Sequence, residues 1–301
     1  MLSKIRAVRR KHRKQPPVLS EHNAVTGIHL RNCRVYPERM AAPTTPISGP
    51  ATDKPPRPRR WVPLSLRVFV SMLLLLGVAS AWLGVRGHEQ LSVIREIERQ
   101  GGTVESEPVG PKWLYELVGD ENMRMFDEIV EVRLSVQATD ATLCQMGRLT
   151  SLTLVTLVNS PATDVGLRHL KGMANLEWLL LSNTRVTDAG LANLEGLTNL
   201  KELWLSNTKV TDAGLVHLKG LTSLETLLLI TTPVKDDGLA NLKGLKNLKV
   251  LDIDDTQVTD AGLKYLKGMT NLRVLCLKYT QVTDAGVAEL QRELPGLTIK
   301  R

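Results

Sequence analysis

Two tryptophans, Trp178 and Trp204, and three aspartates, Asp252, Asp254 and Asp255, are the side chains of this chain best suited to recognition chemistry. Indoles give large rigid contact area, and carboxylates draw cations. Catalysis is a poorer match. There is no G-x-S-x-G, no H-E-x-x-H, no Gly-rich phosphate loop, and no cysteine and histidine spaced as nucleophile and base. A ladder of aspartates (Asp164, Asp188, Asp212, Asp236, Asp260 and Asp284) could draw cations, but each stands where a helix starts, and capping of that helix accounts for it. His169 and His217 fall in one column two turns apart, too far to share an ion. No catalytic residue, metal ligand or cofactor is therefore expected.

The elements that must position those side chains come from a repeat. VTDAGL occurs whole at Val186–Leu191, Val210–Leu215 and Val258–Leu263, as VTDAGV at Val282–Val287, and in altered form at Val234–Leu239 and Ala162–Leu167. The glycines of these copies, from Gly166 to Gly286, are spaced by 24 residues throughout. In the unit Leu176–Asn199, Leu179 and Leu181 alternate as on one face of a strand. Thr184 and Val186 follow in a turn, where a hydroxyl at the threonine position can satisfy buried backbone groups. Thr187 and Asp188 suit the cap of a short helix carrying Leu191, Leu194 and Leu197. One such unit cannot bury its apolar side alone; stacked units make one continuous core. The recurrent glycine fits a close approach of adjacent turns.

With the phase set, the strand positions between the buried leucines fall on the opposite face of the sheet. They run in columns: Leu154, Trp178, Glu202, Thr226, Val250 and Val274; then Thr156, Leu180, Trp204, Leu228, Asp252 and Cys276; then Val158, Ser182, Ser206, Ile230, Asp254 and Lys278. An apolar patch of Trp178, Leu180, Trp204, Leu228 and Ile230 beside Asp252, Asp254 and Asp255 is the candidate protein-binding surface. The plainer reading is that strand surfaces tolerate apolar residues or are covered by a neighbouring loop or chain.

The pattern L-x-x-L-x-L-x-x-T-x-V-T-D-A-G-L-x-x-L-x-G-L, over about residues 129–299 of a repeat domain read as 129–301, resembles the leucine-rich repeat family. Within it, the pattern resembles the (I/V)TD-x-GL subclass known from ubiquitin-ligase substrate receptors and from bacterial surface and membrane proteins, including single-pass membrane-anchored ones. The resemblance implies an α/β right-handed solenoid of about seven turns. Parallel strands would line a concave face, short helices the convex face, and protein binding would be the usual task. The chain has Thr or Ser where the ligase receptors usually carry Cys or Asn, and an apolar segment where an F-box would precede.

Charge is uneven. Residues 1–60 hold 14 Lys and Arg against three acids, leaving 25 against 28 in the remainder, so the basic pI near 9.5 belongs to this tail. Nucleic-acid binding by the folded part is not expected. The tail, rich in Arg, Lys and Pro, reads as disordered. Its run Lys4–Lys14 offers a contact for nucleic acid or for anionic lipid heads, or is simply a solvated charge run that helps orient the next segment. Val68–Val85 is 18 residues without a charge, about 27 Å as a helix, close to the hydrocarbon thickness of a bilayer. It reads as a transmembrane segment within residues 64–86. A cleaved signal peptide with Ala79-Ser80-Ala81 as its site is the competing reading. The arginines Arg57, Arg59, Arg60 and Arg67 crowd its N-terminal flank, which places the N-terminus in the cytoplasm and the repeats outside. Residues 87–128 read as a short helix over His88–Gln100 stopped by Gly101-Gly102, then a second helix with Pro111 at its first turn and Trp113, Leu114, Leu117 and Val118 on its apolar side. Together they form a cap for the solenoid, with a strand at Ile129, Val132 and Leu134. Cys144 and Cys276 lie more than five repeats apart, roughly 25 Å, which no disulfide spans. Three functions fit: a membrane-anchored module that binds an unidentified protein, a structural component of the cell envelope, or an intracellular adaptor similar to ubiquitin-ligase substrate receptors.

Overall fold

A computed structural model describes residues 64–301. The tail, its basic run and Cys33 lie outside the described residues. One nine-stranded sheet runs in strict chain order, β1 to β9. β1 (Thr103–Glu107) pairs antiparallel with β2 (Glu128–Arg133). From β2 onward all pairs are parallel: β3 (Leu154–Thr156), β4 (Trp178–Leu180), β5 (Glu202–Trp204), β6 (Thr226–Leu228), β7 (Val250–Asp252), β8 (Val274–Cys276) and β9 (Thr298–Lys300). Register follows the sequence period: Leu179 pairs with Leu203, Leu203 with Leu227, and Leu227 with Leu251. Each strand from β2 to β8 is followed by a turn and short helical structure, including Asp164–Leu167, Asp188–Leu191 and Asp260–Leu263. The leucines of strand and helix meet in one core in which Leu179, Leu191, Leu194, Leu197, Leu203 and their repeats are fully buried.

The VTDAGL stretch locks adjacent turns together, by a different device from the one its composition suggests. The threonine is the helix cap: the hydroxyls of Thr163, Thr187 and Thr259 accept the N–H two residues on. The aspartate does not cap its own helix. It reaches the following turn, where Asp164 Oδ1 accepts from Thr187 N (2.8 Å) and Oδ2 from Thr187 Oγ1 (2.6 Å). The same pair of bonds joins Asp140 to Thr163, Asp188 to Thr211, Asp236 to Thr259 and Asp260 to Thr283. The glycine makes room for this carboxylate. A Cβ at Gly190 would stand 2.3 Å from Asp164 Oδ1, and one at Gly214 2.3 Å from Asp188 Oδ1. Asp, Thr and Gly thus form one joint spread over two turns.

Two further rows recur along the turns, the first bonding within each turn and the second between turns. The turn hydroxyls of Thr184, Thr208, Thr232, Thr256 and Thr280 each donate to the carbonyl three residues before. Asn159, Asn183 and Asn207 take left-handed backbone (φ 52 to 63°), and their amides form a ladder, Asn183 donating to Asn159 and Asn207 to Asn183. Thr231, Asp255 and Tyr279 hold the same left-handed positions in later turns. Asp255 therefore belongs to this turn column, not to the strands.

The N-terminal end is closed by α1 (Leu64–Arg99) and the β1–β2 pair. α1 is a single helix of 36 residues, where two elements were expected; no proline interrupts it, and its glycines alone cost too little to break it. It stops at Gly101 (φ 78°), with the N–H of Gly102 on the Ile97 carbonyl. Ile94 and Ile97 join the repeat core. Of the apolar run, Val68, Phe69, Leu74, Val78 and Val85 are more than half exposed. Among the described residues no helix is long and apolar enough to cross a membrane. The side chains of residues 75, 76 and 79–83, inside that run, lie outside the description. α2 (Lys112–Val118) forms after Pro111 as expected, but none of its residues is buried; Trp113 and Leu117 are exposed. At the other end Asp284 pairs with Arg301.

Candidate functional site: the open face of the sheet

Strand alternation sends Leu179, Leu203, Leu227 and Leu251 into the core and their neighbours to the opposite, open face. The sequence-derived residues separate into groups there. Trp178, Trp204, Leu228, Ile230, Asp252 and Asp254 are half-buried on that face. Asp252 is the register partner of Leu228, and Leu228 of Trp204, so the apolar and acidic side chains follow one another along a single row. Leu180 is corrected. It pairs in register with Trp204 and points away from the core cluster, yet it is only 2% exposed, as Leu154 is 1%. Beside Trp204 in register and two residues after Trp178, it lies too deep to offer contact. Asp255 is exposed in its turn and stands apart from the row.

A column of alternating charge that sequence reasoning missed borders the strands. Lys201 Nζ meets Glu177 at 2.8 Å and Lys249 Nζ meets Glu225 at 2.7 Å. Lys201 also stands 5.6 Å from the centre of the Trp178 ring, a cation–π distance. The order E, K, E, K at a 24-residue spacing is visible in Glu177, Lys201, Glu225 and Lys249 once the repeat is phased.

Burial raises the pKa of Glu202 above the usual carboxylate range, the Trp204 side chain opposes that, and the charge of Glu225 adds to it. The Trp204 indole N–H is buried and makes no hydrogen bond. Burial also raises Asp252, against the Asp254 N–H that it accepts at 3.2 Å. Asp254 in turn accepts from Lys278 N at 2.6 Å.

One potential ligand set emerges from these columns although no metal ligand was expected. The Cys276 thiol and the carboxylates of Asp252 and Asp254 offer atoms within 4.8 Å of one another. Burial, then the charges of Asp252 and Asp254, push the thiol up to about 11. At neutral pH it stays protonated, and a protonated thiol is a poor ligand. Lys300, beside it in register, already supplies positive charge. The group is better read as the acidic end of the open face.

Comparison with known proteins gives the family level. Residues 174–216 match the family described as Leucine Rich repeats (2 copies), and residues 244–267 match Leucine Rich repeat. No curated protein matches. Among solved structures, internalin C2 from Listeria monocytogenes is 30% identical; the alignment covers 57% of this chain and 71% of that one, with a TM-score of 0.48. An internalin (inlF) from the same organism is 20% identical over 56% of this chain and 60% of that one, with a TM-score of 0.36. The two family matches coincide with turns whose strands, helices and inter-turn joints are described above.

Proposed function

For a chain that belongs to the leucine-rich repeat proteins, we propose a membrane-anchored module of the bacterial type that binds another protein on the concave, open face of its solenoid. The observation that carries this is the half-buried row Trp204, Leu228 and Asp252, with Trp178 and Ile230 beside it. Large apolar side chains left without cover next to half-buried carboxylates have the composition of a binding hot spot with a polar edge. Two substitutions on this face, Trp204→Ala and Leu228→Ala, are the test. Native cross-linked partners should be lost from both variants while each keeps its far-UV circular dichroism. Unchanged partners would remove the face from consideration.

Anchoring rests on the uncharged run Val68–Val85, which sits inside the 36-residue helix α1. The arginine-rich flank before it favours a cytoplasmic N-terminus and extracytoplasmic repeats. Alkaline extraction of membranes and protease accessibility of the repeats in intact cells test the two halves of that statement. A structural role in the envelope is the second reading, favoured by the uncovered Trp113 and Leu117 of α2, which offer a lateral contact away from the open face.

A further inference from the structure

The geometry points to a cation-accepting pocket at the centre of the open face, formed by Trp178, Glu202 and Trp204, that takes an arginine or lysine side chain of the partner. This rests on the open face being the binding surface and specifies what it recognises. Glu202 is the register partner of Trp178 on the preceding strand and lies two residues before Trp204 on its own strand. Adjacent strands are about 4.8 Å apart and alternate residues share a face, so both indoles flank one carboxylate. All three side chains are half-buried.

Glu202 differs from the other glutamates of these turns. Glu177 and Glu225 have Lys201 and Lys249, and Glu195 has His217. Glu202 has no ion pair among the described residues. The only side chain that favours its charged form is Trp204, and the neighbouring charge of Glu225 opposes it. A carboxylate held out of water without a cation is costly, and a partner's cation removes that cost. The indoles suit the same visitor. Trp178 already holds Lys201 against its ring at 5.6 Å, which shows that its surroundings admit a cation. A guanidinium would stack its plane on an indole while its N–H groups reach the carboxylate; an ammonium would do the same as a point charge. Leu228 and Ile230, farther along the face, set the accompanying preference for apolar residues. The partner segment is thus basic and apolar, not acidic.

The test uses the full-length chain in detergent micelles and a displayed library of random dodecapeptides as the probe. Recovered peptides should share an arginine or lysine beside aromatic or aliphatic residues. Made synthetically, they should bind Glu202→Gln at least about tenfold more weakly, as loss of one partner of a buried charge pair requires. They should bind Asp255→Asn within about twofold of the parent, since that carboxylate is solvent-exposed and off the row. Glu202→Gln keeps the shape of the side chain, so a folding defect does not confuse the result. Peptides without a basic residue, or full affinity for Glu202→Gln in peptides weakened by Leu228→Ala, overturn the pocket and leave the open face standing. Peptides indifferent to Leu228→Ala and Trp204→Phe, or no recovery of peptides, overturn both.

Discussion

An alanine at Gly214 would put its Cβ 2.3 Å from an Asp188 oxygen that holds Thr211. Either the carboxylate moves and its two bonds break, or the turns part. Gly214→Ala should cost about 1–3 kcal/mol, as over-packing does. Asp188→Ala, which removes charge-assisted bonds, should cost about 1–3 kcal/mol. Because both changes break one joint, the double variant should lose clearly less than the sum in urea unfolding. Additivity within about 0.5 kcal/mol would show the two residues to be independent. The sequence exposed each column but assigned the aspartate to its own helix. Its partner lies 23 residues on, and a reading made within one unit does not cross that distance. Glu202 gives the second expectation at this scale. Its pKa is raised in the folded state by burial first, so folding favours the protonated form. Ionisation therefore weakens the fold as pH rises through the interval between unfolded and folded pKa values. Glu202→Gln should be more stable than the parent at neutral pH, and the difference should vanish in acid, below both pKa values. A parent that is the more stable at neutral pH would mean that a cation already sits there.

At the scale of elements, strands and helices of the repeats were legible because leucine alternation and the VTDAGL phase agree at every turn. Depth on the open face was not. Position gives the side of the sheet on which Leu180 lies, but not that its neighbours on that face leave it only 2% exposed. The cap was legible only in outline. β1 reads TVESE, too polar for its alternation to stand out, and it exists because the edge of β2 needs a partner. α2 was placed correctly but expected to bury an apolar side, which it does not. Trp113→Ala should accordingly leave urea stability within about 0.5 kcal/mol, in line with other surface changes, and α2 amides should exchange hydrogen faster than those of Asp284–Glu293. A loss comparable to a core substitution would show that the helix packs in solution.

For the whole molecule, period and register make the solenoid close to one-dimensional, each turn touching its two neighbours. Excision of residues 236–259, one full period, joins Lys235 to Asp260 and keeps every remaining Asp 23 residues from its partner. That variant should unfold cooperatively with a smaller m-value in urea, since less surface is exposed. Excision of 240–262, one residue short of a period, instead puts Val282 rather than Thr283 23 residues after Asp236 and breaks that joint. It should be clearly the less stable of the two, and equal stability would sink the account of the joint. The joints are also unequal. In the turn that carries Leu228 and Ile230, Lys235 replaces the threonine, so Asp212 keeps only the backbone bond at 2.7 Å. Thr231 replaces asparagine at a left-handed position (φ 54°), which a β-branched residue adopts at a cost. Ser223 stands where Asn175, Asn199, Asn247 and Asn271 each bridge to a carbonyl of the preceding turn. Three weakened links thus coincide at one seam. Pulled from its ends, the solenoid should fracture there first, and a ligand lying from Trp204 across Leu228 to Asp252 would splint the crack.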